Sequence, residues 1–274
     1  MSPKDTLVLF DVDGTLTEPR QPIQKRMLLA LHHLAKKAEI GFLTGSDMGY
    51  IKEQLWPALN DPAIRDNCHL LPCNGTEYIV PYGETFDDLA YKMISKEIMR
   101  KKIGDEALYN IIRRLCYLQN DLLKNNKNLP VTGHFIQNRH SMLNWCPIGR
   151  NATTEERNIF KAVDKTFKIR EKYLRQFQDF IKTLNMDVTI KLGGDTSFDI
   201  YPNGWDKTYA LTHFDETQWD FWFVGDRCDE TGNDYEIYEL LKPKRRALKT
   251  NGPTETVDFI DWYIMPTLKD DELI

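Results

Sequence analysis

The feature that most constrains this chain is an apolar run that ends in acid. Residues 6–10 (TLVLF) lead directly into Asp11-Val12-Asp13-Gly14-Thr15, and near the other end of the 274-residue chain WDFWFVG leads into Asp226. Short apolar runs rich in β-formers read as strands buried on both faces, and such strands belong to parallel sheets covered by helices. In open sheets of that kind the reactive crevice lies at the carboxyl ends of the strands, so both runs can deliver aspartates to one crevice. A carboxylate at the end of a buried strand is costly unless something pairs with it. An all-negative group of Asp11, Asp13, Asp226 and, as a fourth candidate, Asp234 suits a hard divalent cation with oxygen ligands, and Mg²⁺ fits best.

Between the two runs the pattern changes character twice. Residues 24–38 carry Met27, Leu28, Leu31 and Leu34 at helical spacing. Residues 40–43 read as a second strand, 48–55 as a second helix and 69–71 as a third strand before the turn dipeptide Asn74-Gly75. That alternation predicts a doubly wound α/β core. Residues 88–124 are highly charged and read as helical, followed by strands at 131–137 and 141–146. Helices from Thr153 and over 169–184 precede two more strands, 188–192 and 197–201. Paired strands with helices to one side predict an α+β unit built on an antiparallel sheet. The alternation then resumes with the strand before Asp226, a helix from Asn233, the stretch RALKT and a final helix from Glu255.

The expected fold is therefore α/β: a doubly wound, mainly parallel Rossmann-like core interrupted by an inserted α+β cap domain. The core takes 1–84 and 205–274 and the cap 85–204, with hinges at 81–84 and 202–205, where glycine and proline cluster.

Composition narrows the function classes. With 41% hydrophobic and 28% charged residues the chain has the balance of a globular protein. A net charge of −5, from 36 basic and 41 acidic side chains, argues against a nucleic-acid partner. No segment approaches the ~20 apolar residues of a membrane span, and the four-residue run before Asp11 is too short for a signal peptide. The five cysteines (Cys68, Cys73, Cys116, Cys146, Cys228) are odd in number and form no CxxC pair, which favours reduced thiols and a cytoplasmic protein.

A cation among carboxylates suggests phosphate chemistry, because it offsets repulsion between a carboxylate and a phosphate dianion. One carboxylate can then attack phosphorus and become an aspartyl phosphate. The other can give a proton to the leaving oxygen and take one from the next attacker. A lone DxD is more often a turn or a cap. Three further features reverse that reading here: Thr44-Gly45-Ser46 after the second strand, Lys207 in GWDK, and the late GD…GND.

These elements resemble the haloacid dehalogenase superfamily. The inserted segment adds FIQNRHSMLNWCPIGR, EER and GGDTSFDIYPNGWDK, and with them nearly the whole chain resembles the eukaryotic phosphomannomutase family. The resemblance implies a Mg²⁺-dependent cytosolic enzyme, a homodimer joined through its cap. It would interconvert mannose 6-phosphate and mannose 1-phosphate, the precursor for GDP-mannose synthesis, with a hexose 1,6-bisphosphate as activator and intermediate; some members also take glucose phosphates. Carried over by position, Asp11 matches the nucleophile and Asp13 the general acid/base. The cation ligands match Asp11, the backbone carbonyl of Asp13, and Asp226. Thr44 matches the phosphate-binding hydroxyl, with Ser46 the alternative, and Lys207 the cation of the transfer site. Arg20, Arg139, Arg150, Arg157, Ser197 and Asp199 match substrate-binding positions.

Arginine forks suit a second phosphate better than lysines do, and a bisphosphate must alternate its two ends between a transfer site and a parking site. A cap that closes over the core would also keep water from the phosphoaspartate. The sequence departs from the family in two places. TGSD replaces the usual GGSD, and YEIYELLKPK lacks the residues that help hold a second, structural cation in relatives. The alternatives are a Mg²⁺-dependent sugar-phosphate phosphatase or a phosphoglucomutase of the same superfamily, and, from another class, a non-catalytic binding protein.

Overall fold

The computed structural model describes residues 5–83 and 90–270 and divides into two compact units. The first opens with β1 (Asp5–Phe10), α1 (Lys25–Leu34), β2 (Glu39–Leu43), α2 (Met48–Leu59), α3 (Pro62–Arg65), β3 (Cys68–Leu71), β4 (Glu77–Tyr82) and β5 (Ala90–Lys96). Helix α1 buries Met27, Leu31 and Leu34 of the stripe expected from its sequence together with Ala30, while Leu28 is only partly buried. Helix α2 starts at Asp47, whose carboxylate accepts the Tyr50 N–H at 3.2 Å and so satisfies a donor with no partner inside the helix. Neither β4 nor β5 is expected from the sequence. Residues 90–96 form a strand rather than a helix because β4 pairs with them, Pro81 opposite Tyr91 and Ile79 opposite Met93, and that pairing overrides a weak local preference. The first unit thus continues to Lys96. The expected boundary between 84 and 85, and residues 88 and 89 of the expected helix, lie outside the described residues.

The second unit, Glu97–Gly204, holds α4 (Met99–Ile103), α5 (Asp105–Asn125), β6 (Ile136–Asn138), β7 (Leu143–Trp145), α6 (Thr154–Phe167), α7 (Ile169–Thr183), β8 (Val188–Gly193) and β9 (Ser197–Pro202). Its sheet is antiparallel throughout, in the order β6-β7-β9-β8. Thr153 and Glu156 close a capping box at the start of α6. In the core of the unit Trp145 stacks on Phe198 at 4.6 Å, and its indole N–H donates to Gln119 Oε1 at 2.7 Å. The strand expected over 131–137 shrinks to Ile136–Asn138, because Gly133 and His134 both take left-handed backbone that a strand cannot accommodate.

The chain returns to the first unit with β10 (Trp219–Gly225), α8 (Tyr235–Leu241), β11 (Ala247–Lys249), α9 (Pro253–Phe259) and α10 (Met265–Asp270). The seven-stranded sheet has the order β11-β10-β1-β2-β3-β4-β5, parallel from β11 to β3 and antiparallel at β4 and β5. Alternate residues of β1 feed two separate apolar clusters. Val8 and Phe10 join Leu31, Leu55 and Val257, while Leu7 and Leu9 join Phe223, Ile237 and Leu241. Helices therefore cover both faces, which is why the central strands read as unbroken apolar runs. Phe10 pairs with Val224 on one side and Phe42 on the other, so β1, β2 and β10 end level with one another. Among the described residues no helix is long and apolar enough to cross a membrane.

Candidate active site

Those three level strand ends place the site. Asp11 follows β1, its N–H donating to Val224 O at 2.9 Å; Asp226 follows β10, and Thr44 follows β2. Lys207, at the head of a short 3-10 turn (Lys207–His213), is fully buried and forms ion pairs with Asp11 Oδ1 and Asp234 Oδ1. Asp234 also accepts the Arg227 N–H on Oδ2 at 2.9 Å, which fixes the loop after β10. The turn after Asp13 can be only glycine. Gly14 has φ +82°, and a Cβ there would stand 2.6 Å from Asp226 Oδ2.

Oxygens of Asp11, Asp226 and Asp234 all lie within 4.8 Å of one another. Asp226 Oδ1 is buried without a hydrogen bond. A buried, unsatisfied carboxylate oxygen inside an all-oxygen donor set fits a hard divalent cation. Asp234, only a fourth candidate by sequence, completes this set. The side chain of Asp13 stands apart from the cluster, which leaves its backbone carbonyl as the part that could serve a cation.

The electrostatics carry the mark of that crowding. Burial pushes the Asp11 carboxyl well above the usual range; Lys207 opposes this while Asp234 and Asp226 add to it. Asp226 is pushed up to about 6, by burial first and then by Asp234, against Arg227 and Lys207. Burial alone would pull Lys207 down, but Asp11 and Asp234 outweigh it and hold the ammonium charged. The folded state thus binds the Asp226 proton more tightly than the unfolded chain, whose aspartates titrate near about 3.9. The metal-free fold accordingly loses stability as pH rises through this window, from about 4 to about 6. In EDTA at about pH 7, Asp226→Asn should melt above the parent protein, and the gap should close near pH ~4. Mg²⁺ should raise the parent's melting temperature and move the variant far less. Thermal melts at both pH values check this.

Asp13 is held differently. Its Oδ1 accepts the Arg20 N–H at 3.0 Å and the Tyr50 hydroxyl at 3.1 Å. Burial raises its carboxyl, and those bonds, with the nearby Gln54 amide and Arg20 charge, pull it back. Arg20 reaches Asp13 through its backbone, in left-handed conformation at φ 63°. The Thr44 hydroxyl accepts the Ser46 N–H at 3.1 Å, which makes Ser46 the support and Thr44 the buried member of the pair. Three neighbours are not singled out by the sequence: Tyr50, Gln54 and Asn74. The buried Asn74, also left-handed, donates to Trp205 O at 3.2 Å, two residues from Lys207. Gly75 packs so tightly on Ala210 that a Cβ would come within 2.6 Å, so the Asn74-Gly75 turn clamps the lysine segment.

The second unit gathers its own polar cluster. Buried Asp199 on β9 faces Arg139 at 3.8 Å and accepts from Asn144 Nδ2 at 2.7 Å, and Arg150 reaches Asn144 Oδ1 at 3.5 Å. Arg157 braces the group, donating to Thr196 Oγ1, Arg150 O and Ala152 O. Ser197 is buried at the start of β9. All five substrate-binding positions expected in this unit therefore fall in one neighbourhood, and Asn144 joins them.

The fold and the aspartate–lysine crevice carry the features by which the sequence resembles the haloacid dehalogenase superfamily. Solved structures agree on the fold. ATP-bound Plasmodium falciparum IMP-nucleotidase aligns with a TM-score of 0.61 at 13% identity, covering 95% of this chain and 61% of that one. The C-terminal domain of C. albicans trehalose-6-phosphate phosphatase aligns at 0.55 and 15% identity, covering 99% and 94%. Sequence comparison is narrower. The model of the eukaryotic phosphomannomutase family matches residues 27–265. The phosphomannomutase of Dendrobium officinale is 38% identical over 237 residues, 85% of this chain and 84% of that protein. That of Arabidopsis thaliana is 36% identical over 252 residues, 92% and 93%, and that of Schizosaccharomyces pombe 35% over 254, 92% and 91%. The chain belongs to the eukaryotic phosphomannomutase family, a family of isomerases.

Proposed function

We propose that this protein interconverts mannose 6-phosphate and mannose 1-phosphate by way of a phosphorylated Asp11 and a hexose 1,6-bisphosphate. Family membership over most of the chain supports the reaction. The single observation supporting the route is the position of Asp11, level with Asp226 at the strand ends and held by a buried ammonium. In the first half-reaction an Asp11 carboxylate oxygen bonds to one phosphorus of the bisphosphate and the bond from that phosphorus to the sugar oxygen breaks, leaving a hexose monophosphate. Asp13 gives its proton to that oxygen, which leaves as a hydroxyl. In the second half-reaction the free hydroxyl of a hexose monophosphate attacks the phosphoaspartate, the bond from phosphorus to Asp11 breaks, the bisphosphate forms again and Asp13 takes back a proton; turned end for end, the bisphosphate then offers its other phosphate to Asp11. Lys207 fixes the orientation of Asp11 and offsets negative charge as the phosphate approaches. Asp11, Asp226 and Asp234, with the carbonyl of Asp13, would hold a Mg²⁺ that neutralises phosphate charge when bound.

In the second unit, Arg139 and Arg150 are the candidate grips for the phosphate that is not being transferred, with Asp199 and Asn144 holding their orientation. Mannose phosphates, and glucose phosphates as a further class, are the small-molecule partners this reading assigns, in a cytoplasmic homodimer. The test is to supply mannose 1-phosphate, Mg²⁺ and the bisphosphate, then follow mannose 6-phosphate and free phosphate together. Isomerisation without matching phosphate release supports the proposal. Phosphate release alone would make the protein a phosphatase, and neither product would make it a binding protein.

A further inference from the structure

Helix α2 presents one face to the loop that carries the reacting aspartates. Tyr50 and Gln54 stand four residues apart, hence on the same side of the helix. Both meet residues of the loop that follows β1. Gln54 Oε1 accepts from the Thr17 hydroxyl at 2.7 Å, and Gln54 O accepts the Ile23 N–H at 2.9 Å, so the end of the loop is anchored on α2. At the front of the same face the Tyr50 hydroxyl donates to Asp13 Oδ1 at 3.1 Å, beside the Arg20 N–H at 3.0 Å. Tyr50 itself is fixed from below, its N–H bonded to the Asp47 carboxylate that starts the helix. The rest of α2 is pinned by Ile51, Leu55, Ala58 and Leu59 in the core. Tyr50 thus donates from a helix anchored in the core.

We propose that Tyr50 is a positioning residue for proton transfer: with the Arg20 N–H it clamps Oδ1 of Asp13 and turns Oδ2 toward the sugar oxygen that gains or loses the proton. Both donors fall on the same oxygen, which orients the carboxylate. The clamp matters only when the leaving oxygen needs a proton. A sugar alkoxide is a poor leaving group and needs one, whereas nitrophenolate leaves without one. This inference rests on the acid/base role given to Asp13 above.

Tyr50→Phe removes the hydroxyl and keeps the ring. The parent and the variant are compared in isomerisation of mannose 1-phosphate, with bisphosphate and Mg²⁺, and in the first burst of nitrophenolate from p-nitrophenyl phosphate. The burst reports phosphorylation of Asp11 without proton donation. The expected result is an isomerisation kcat lower by about tenfold, the scale of one hydrogen bond to a catalytic group. KM and the nitrophenolate burst should stay within about twofold of the parent. An unchanged isomerisation kcat overturns the proposal. Equal slowing of both reactions also overturns it, because a merely structural role would slow both. If the parent protein hydrolyses mannose 1-phosphate without isomerising it, the mutase reading fails by itself, and Tyr50 is then judged by the same contrast between mannose 1-phosphate hydrolysis and the nitrophenolate burst.

Discussion

Asp11→Asn should reduce isomerisation at saturating Mg²⁺ by at least about a thousandfold, the scale expected when a covalent route is removed. The amide has the shape of the carboxylate but cannot attack phosphorus at a useful rate. Fold and melting temperature should change little. The neutral amide relieves the repulsion from Asp226 and Asp234 that helps to push this carboxyl up, and Lys207 keeps its ion pair with Asp234. Steady-state rates beside a thermal melt separate the two effects. Substantial activity in a well-folded Asp11→Asn protein would remove Asp11 as the nucleophile.

The second large effect lies in Lys207→Met, which should impair both stability and turnover. The ammonium is completely buried between Asp11 and Asp234, and Asp226 completes the acidic group around them. Removing one partner of a buried ionic group leaves uncompensated charge, at a cost of about 3–5 kcal/mol. Divalent cation should recover more stability in this variant than in the parent, since the carboxylates it leaves exposed to one another gain the most from a cation. Turnover should fall far below the parent even when Mg²⁺ restores the fold, because Asp11 loses the group that orients it. Calorimetry with and without Mg²⁺, alongside the isomerisation assay, checks both halves. A variant as stable as the parent without metal would show that Lys207 does not compensate this cluster.

Much of this site is legible before any coordinates, for identifiable reasons. Asp11, Asp13 and Asp226 end apolar runs, and the side chain of a residue just beyond a buried parallel strand has little choice but the crevice. Lys207 is legible through its motif rather than through any period or propensity. Asp234 is harder to see because it stands at the start of an ordinary helix, and only the folding back of the loop after β10 brings it to Lys207. Tyr50 and Gln54 carry no signal at all. On a helix wheel they look like a polar edge, and their role depends on which loop packs above them.

The same distinction applies to the fold. The central strands are legible because burial on both faces writes an unbroken apolar run. Strand β5 is not, since Tyr91, Met93 and Ile94 alternate poorly with lysines, and it is the pairing with β4 that decides their conformation. The overlong strand expected from residue 131 fails on two left-handed residues, Gly133 and His134, of which only the glycine is a visible breaker.

The central claim is that the phosphoryl group passes from one end of the sugar to the other through Asp11. Rapid quenching of the enzyme with bisphosphate labelled in its C1 phosphate alone tests it most directly. Label should appear on the peptide containing Asp11 before it appears in mannose 6-phosphate, and adding unlabelled mannose 1-phosphate should chase it into sugar phosphate at the rate of turnover. A peptide that stays unlabelled while product accumulates, or label that leaves Asp11 only as free phosphate, would contradict the account.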